Sequence, residues 1–210
     1  VCTYEAWKII GSSYSVKEVL NIIRRDIPFY SKSGGGVTLS GGEPLSQAEF
    51  SEVFLRACKR ESIHTAVQTS AYCARNVFEC IMPFVDLFIF DLKIIDTDKH
   101  ELLTGVKNDQ IIKNLDYLLD SSCNVIIQIP LIPGVNYNHH LFEQMVDFLV
   151  PRSQKILGVS LIPYHKLGIP KYKALGRNYV LSEINPPTPD ELNSAQKFLR
   201  SKGLNTIIFG

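Results

Sequence analysis

Short apolar, β-rich runs alternate with helical segments along almost the whole chain, and this alternation limits the fold more than any other feature. The runs are mostly continuous in apolar residues, as expected for strands covered on both faces. They lie at 37–40, 65–70, 87–93, 124–132, 158–165 and 205–210, and the predicted helices lie at 15–25, 47–60, 75–82, 108–120, 138–150 and 188–202. Strand followed by helix, repeated, predicts parallel βαβ units and an α/β fold.

Five or six such units predict a partial (β/α)6-type TIM barrel rather than a complete eight-stranded one. Ser15 with Glu18 three positions later has the capping-box pattern of a helix start, and Thr188 is a candidate cap for the last helix. We find no linker that would divide the chain, so residues 15–210 are predicted to form one barrel domain. Residues 1–14 precede it.

Composition narrows the class of partner. The 210 residues are 45% hydrophobic, and 22 Lys and Arg balance 21 Asp and Glu, so no bulk field attracts nucleic acid or an anionic membrane. No apolar run reaches the length of a membrane span, and no leader is evident. The five cysteines are scattered and odd in number, which favours a reducing compartment. We therefore expect a cytoplasmic protein.

Polar residues follow the predicted strands at corresponding positions. Because the chemistry of such barrels lies at the carboxyl ends of the strands, these residues are expected at one rim. They are Glu43, Gln68 with Thr69, Asp91 with Lys93, Gln128 and His165. One such residue alone would most simply have a structural role, but polar residues at corresponding positions after five strands indicate a functional site.

The segment Gly41-Gly42-Glu43 suggests what that site holds. It lacks the spacing of a dinucleotide fingerprint and the lysine of a phosphate loop. Glycine lets a ligand approach the backbone, and Glu43 favours an amine. Lys93 favours a carboxylate, while His165 or Asp91 can bond to ribose hydroxyls. An amino acid joined to a nucleoside satisfies all of these groups.

Several phrases in fixed order also carry a family resemblance. The chain contains SGGGVTLSGGEPLSQAEF (33–50), LFIFDLK (87–93), TGVKNDQIIKNLDYL (104–118), IPLIPGVNYN (129–138) and LIPYHKLGIPKYKALG (161–176). From about residue 15 to its end the chain resembles the radical S-adenosylmethionine (SAM) activating enzymes of glycyl-radical enzymes, the group typified by pyruvate formate-lyase activating enzyme.

The resemblance implies an activity. Such an enzyme cleaves SAM reductively at a 4Fe-4S cluster and generates a glycyl radical on a partner enzyme, with a reductant such as flavodoxin or ferredoxin. It also implies that Gly41, Gly42 and Glu43 bind the methionine amino group, that Lys93 holds the carboxylate and that His165 lies at the ribose. Thr69, Asp91 and Gln128 are the further cofactor-binding residues that we predict.

The chain departs from the family pattern in ways that matter for metals. The C-x-x-x-C-x-x-C triplet that ligates the cluster is absent, which predicts an N-terminally truncated chain lacking the first strand and the cluster loop, and inactive alone. Gln68 replaces an acidic residue, which weakens the prediction of a monovalent cation beside Asp91, and Gln128 replaces an arginine.

Residues 1–14 resemble the end of a ferredoxin-like insert with two further clusters, in which Cys2 would be a ligand. The alternatives are a linker and a terminal cysteine without a role.

Two other functions stay open. One is a cluster-free barrel that binds a nucleoside or docks on a partner without catalysis. The other is a radical SAM enzyme with a small-molecule substrate, which the order of the DLK and PYH phrases disfavours. We also expect an unpaired sheet edge at 37–40, and Asp91 and Lys93 facing the barrel interior, with an internal ion pair between them as the alternative.

Overall fold

The strands form one parallel sheet in chain order. The computed structural model describes residues 11–207, and each strand in it after the first pairs with the strand before it in sequence. The strands are β1 Gly36–Leu39, β2 His64–Thr69, β3 Leu87–Asp91, β4 Val125–Leu131, β5 Gly158–Pro163 and β6 Thr206–Ile207. The predicted α/β class is confirmed, and all carboxyl ends lie at one rim.

The described helices include the six predicted ones and three more. They are α1 Val16–Ile23, α2 Ile27–Ser33, α3 Ala48–Arg60, α4 Arg75–Ile81, α5 Thr97–Thr104, α6 Asp109–Asp120, α7 His139–Leu149, α8 Ile169–Ala174 and α9 Pro189–Ser201. The capping box of Ser15 and Glu18 is present, and Thr188 forms a second one with Glu191. Helices α2, α5 and α8 are short and had not been predicted. None of the described helices is long and apolar enough to span a membrane.

The core lies between the middle strands and the helices. Val67, Phe88, Phe90, Ile127 and Val159 are almost completely buried, as the continuous apolar runs predict. Burial of each such side chain stabilises the fold by about 1.5–3 kcal/mol. A rigid core of this kind fixes the directions of the strands, and so the places where their polar ends meet.

Strand β1 lies at one edge of the sheet. It pairs with β2 and has no partner on its other side among residues 11–207. Gly36 makes the pairing possible, because a Cβ there would lie 1.9 Å from the carbonyl oxygen of His64. The edge position agrees with the expectation from the sequence.

Candidate functional site

The turn after β1 presents Glu43 at the carboxyl rim. Gly41 has φ 111°, a left-handed conformation that favours glycine, so the chain can reverse direction there. Glu43 then caps the short 3₁₀ turn Pro44–Gln47, and its side chain accepts a hydrogen bond from the backbone N–H of Leu45 at 3.1 Å. Pro44 and Leu45 are buried, so the turn is anchored on the core.

Gly42 differs from Gly41 in backbone conformation, not in the space around its Cβ position. A Cβ built on Gly42 meets no heavy atom within 4 Å, and its φ lies outside the left-handed region. Neither packing nor backbone conformation therefore requires glycine at this position. The open space lies beside Glu43 at the rim, where a ligand would approach.

The end of β2 holds the Glu43 carboxylate. Thr69 donates from Oγ1 to Oε1 at 2.7 Å, and Ser70 donates from its backbone N–H at 2.9 Å and its Oγ at 2.6 Å to Oε2. Donors on both carboxylate oxygens fix the direction of the Glu43 side chain. Thr69 was predicted in the site, whereas Ser70 was missed. The sequence signal for Ser70 was its place directly after Thr69.

The end of β3 brings in two charges. The Lys93 Nζ lies 3.9 Å from Asp91 Oδ2, a long ion pair. The Gln68 amide donates to Asp91 Oδ1 at 3.4 Å and accepts from Ser40 Oγ at 2.8 Å, so three strand ends are linked. Burial raises the pKa of Asp91, while the positive charge of Lys93 opposes this shift.

These groups surround one small cavity of about 170 Å³. Its lining residues are Ser40, Gly41, Gly42, Glu43, Gln68, Thr69, Ser70, Asp91 and Lys93. The cavity therefore brings together six of the eight cofactor-binding residues predicted from the sequence. Both Asp91 and Lys93 face it, as predicted, and the ion pair that was the alternative is present as well. Its volume is below the roughly 300–1,000 Å³ of typical small-molecule pockets, so it suits one part of a ligand.

The other two predicted residues lie further along the rim. Gln128 is half-buried on β4 and is opposite Asp91 in the strand register, while His165 is exposed two residues after β5. Neither contributes to the lining of the small cavity. A larger, mainly apolar cavity of about 420 Å³ shares Lys93 and extends over Ile94, Pro130 and Ile132 toward Tyr179.

The donor set fits SAM but not an iron–sulfur cluster. A carboxylate and an ammonium in one cavity, with open backbone between them, match the two charges of an amino acid. In contrast, no group of three His, Cys, Asp or Glu side chains within residues 11–207 could hold a metal ion. Burial, followed by the neighbouring Glu43 charge, raises the pKa of the Cys73 thiol to about 12. The predicted metal ligand Cys2 lies outside the described residues.

Comparisons with known proteins agree with this chemistry. The sequence profile described as the Radical SAM superfamily matches residues 2–149. The chain is 42% identical over 187 residues to the choline trimethylamine-lyase activating enzyme of Oleidesulfovibrio alaskensis, a match that covers 88% of the chain and 60% of that protein. It is 39% identical over 208 residues to the trans-4-hydroxy-L-proline dehydratase activating enzyme of Clostridioides difficile, covering 98% and 68%.

A solved structure gives the same result. A domain of pyruvate-formate lyase-activating enzyme from Bacteroides vulgatus superposes with a TM-score of 0.69 at 28% identity, covering 84% of this chain and 99% of that one. Streptococcus suis SuiB bound to its precursor peptide has the same TM-score at 19% identity, covering 99% of this chain and 45% of that one, and shows the fold alone. The chain spans about 60–68% of the length of the first two curated relatives.

Proposed function

This chain belongs to the radical SAM superfamily, among the activating enzymes of glycyl-radical enzymes, and from that membership we propose that its rim cavity binds and orients SAM for activation of a partner enzyme. Glu43 and Lys93 would hold SAM, and SAM bound there would supply, on one-electron reduction, the radical chemistry that activates a glycine of the partner. The family carries out that reduction at a 4Fe-4S cluster. Residues 11–207 do not hold the cluster, so the proposal for them concerns binding.

One observation carries this proposal: Glu43 and Lys93 line the same cavity beside the open backbone of Gly42. We assign the SAM ammonium to Glu43, which Thr69 and Ser70 hold in direction, and the carboxylate to Lys93. Fixed partners of opposite charge bind a zwitterion in one orientation, because the reverse orientation would place like charges together.

The remaining predicted residues are assigned to the nucleoside. Asp91 is an acceptor for a ribose hydroxyl or a ligand of a monovalent cation, and His165 is a second ribose contact. Gln128 is assigned to the rim between them. The larger cavity beyond Lys93 has apolar walls of the kind that cover a purine ring, which supports placing the nucleoside on that side.

We also propose the surroundings in which the protein works. The matched relatives are named as activating enzymes of a lyase and a dehydratase, which supports a glycyl-radical enzyme as the partner. A flavodoxin or ferredoxin would supply the electron.

The thiols suit a reducing cytoplasm, because four of them are free: Cys58, Cys73, Cys80 and Cys123. The balanced charge of the chain argues against nucleic acid as a partner. Residues 15–210 would form the barrel domain, and residues 1–14 the end of a cluster-bearing insert or a linker.

Calorimetry on the 210-residue chain tests the binding proposal. We expect SAM to bind, and Lys93→Met to weaken it by about 1.5–3 kcal/mol, the value of a hydrogen bond to a charged group. Lys113→Met is the control, because Lys113 is exposed on α6, away from the lining of the cavity. Equal loss in both variants, or no binding by the wild-type chain, would contradict the proposal.

Iron and acid-labile sulfide measured on the full-length protein also test this proposal. A cluster supports the activating enzyme, and the absence of a cluster contradicts it. A barrel that binds a nucleoside without catalysis is not favoured, because the matched relatives are activating enzymes.

A further inference from the structure

Two buried asparagines contact the loops that carry the site. Asn114 on α6 is 1% exposed and Asn136, after β4, is 3% exposed. The side-chain amide of Asn114 donates to two backbone carbonyls of the loop after β2. That of Asn136 donates to the carbonyl of Lys93, after β3, and to the carbonyl of Pro130 in β4. An amide buried without partners is costly, so these hydrogen bonds strongly favour one arrangement of each loop.

Asn136 fixes the backbone of Lys93. Its Nδ2 donates to the carbonyl of Lys93 at 3.0 Å and to that of Pro130 at 2.5 Å, and its Oδ1 accepts from the N–H of Ile132 at 2.8 Å. Strand β3 ends at Asp91, so the Lys93 carbonyl lies beyond the paired part of β3. Asn136 therefore supplies to the Lys93 backbone a hydrogen bond of the kind that a neighbouring strand supplies within the sheet.

Asn114 fixes the loop that holds Glu43. Its Nδ2 donates to the carbonyls of Ala71 at 2.8 Å and Cys73 at 2.9 Å. Ala71 has φ 59°, a left-handed conformation that is unfavourable for alanine. The Ala71 N–H also donates to Thr69 Oγ1 at 2.9 Å. The two hydrogen bonds from Asn114 hold a strained turn whose preceding residues donate to Glu43.

We propose that Asn114 and Asn136 are positioning residues that set the places of Glu43 and Lys93, and thereby select a ligand that carries both an ammonium and a carboxylate. This inference rests on the proposed function. Lysine has a long, flexible side chain, so the direction of its ammonium depends on how firmly its backbone is held. Glu43 depends in the same way on Thr69 and Ser70, the donors that come directly before the turn held by Asn114.

The test uses three ligands that differ in charge. SAM has both groups, decarboxylated SAM keeps only the ammonium, and 5′-methylthioadenosine has neither. We expect Asn136→Ala in the 210-residue chain to lower the affinity for SAM by about five- to tenfold and to leave the affinity for decarboxylated SAM within about twofold of wild type. We expect Asn114→Ala to lower the affinities for SAM and decarboxylated SAM to a similar degree and to leave the affinity for 5′-methylthioadenosine unchanged.

Asn124→Ala is the matched control. The Asn124 amide also donates to a backbone carbonyl, that of Asp86 at 3.0 Å, but at the opposite end of the sheet. It should leave all three affinities unchanged. If Asn136→Ala does not fold, Asn136→Ser is measured instead, because its hydroxyl keeps one donor while losing the second.

The outcomes separate this inference from the function on which it rests. A wild-type chain that prefers SAM to both analogues, with variants that lose the preference in the stated pattern, supports both. A wild-type preference that survives in both asparagine variants, or an equal loss for all three ligands, refutes the positioning role alone. A wild-type chain that binds the three ligands equally, or does not bind SAM, refutes the proposed function and with it this inference.

Discussion

Alanine at position 42 should separate what the ligand requires from what the fold requires. The added Cβ meets no heavy atom within 4 Å and the backbone is not left-handed, so the folded chain accommodates it without strain. Replacing glycine where alanine fits stabilises a protein by about 0.4–1 kcal/mol through the unfolded state. We therefore expect Gly42→Ala to raise the melting temperature by about 1–4 °C.

The same methyl group should weaken SAM binding. If the methionine part of SAM lies against Gly42, the methyl occupies its place, and overpacking of this kind costs about 1–3 kcal/mol, or roughly 5- to 150-fold in affinity. Differential scanning fluorimetry gives the melting temperature and calorimetry gives the affinity of the same sample. A raised melting temperature with unchanged SAM affinity, in Gly42→Ala and also in Gly42→Val, would show that no ligand approaches this backbone.

Gly41→Ala is the companion variant. Gly41 also has open space around its Cβ position, but its φ of 111° strains any side chain. We expect this substitution to lower stability by about 1–3 kcal/mol. The two neighbouring glycines should thus change stability in opposite directions, and a Gly42→Ala variant that is destabilised like Gly41→Ala would refute the reasoning.

Three further predictions concern the charged groups of the site. Glu43→Gln should destabilise the ligand-free chain by about 1–3 kcal/mol in urea unfolding, because the new amide nitrogen cannot accept from Ser70 or Thr69; unchanged stability would contradict the hydrogen bonds described. Burial raises the pKa of Asp91 above 3.8, so its ionisation disfavours the fold as pH rises; Asp91→Asn should raise the melting temperature at pH 7, with the gain vanishing below about pH 3, and a gain that grows in acid would be contrary evidence. With a pKa of about 12, Cys73 should resist iodoacetamide at pH 8 while exposed Cys80 reacts, and equal rates by mass spectrometry would disprove this.

The sequence was sufficient for the sheet because its strands are buried on both faces. Continuous apolar runs such as 124–132 and 158–165 are typical of strands in that position, and the helices between them carry apolar stripes and caps. Helix α5 was missed since its leucines, Leu102 and Leu103, face outward and give no amphipathic pattern. Only the cap Asp96 and the stop Gly105 marked its ends.

The site was predictable where position along a strand decides it. Thr69 and Asp91 end strands, and Lys93 and Glu43 follow strands within a short turn, so sequence position predicted all four at the rim where they line one cavity. Sequence position did not show which of the rim residues come together, because that depends on strand length and loop path; Gln128 therefore lies outside the small cavity. Asn114 carried a signal that was overlooked, a polar residue on the apolar face of α6.

The chain order of the strands has a consequence for how the protein folds. Each new strand pairs with the strand made just before it, as Thr38 with Ala66 and Ile126 with Gly158, so each step closes only a modest loop. We expect pulsed hydrogen exchange during refolding to show that the backbone amides of β1 to β3 become protected before those of β6. Simultaneous protection of all strands would argue against this order. A sheet that grows from its amino-terminal edge can assemble while the ribosome is still adding the later units.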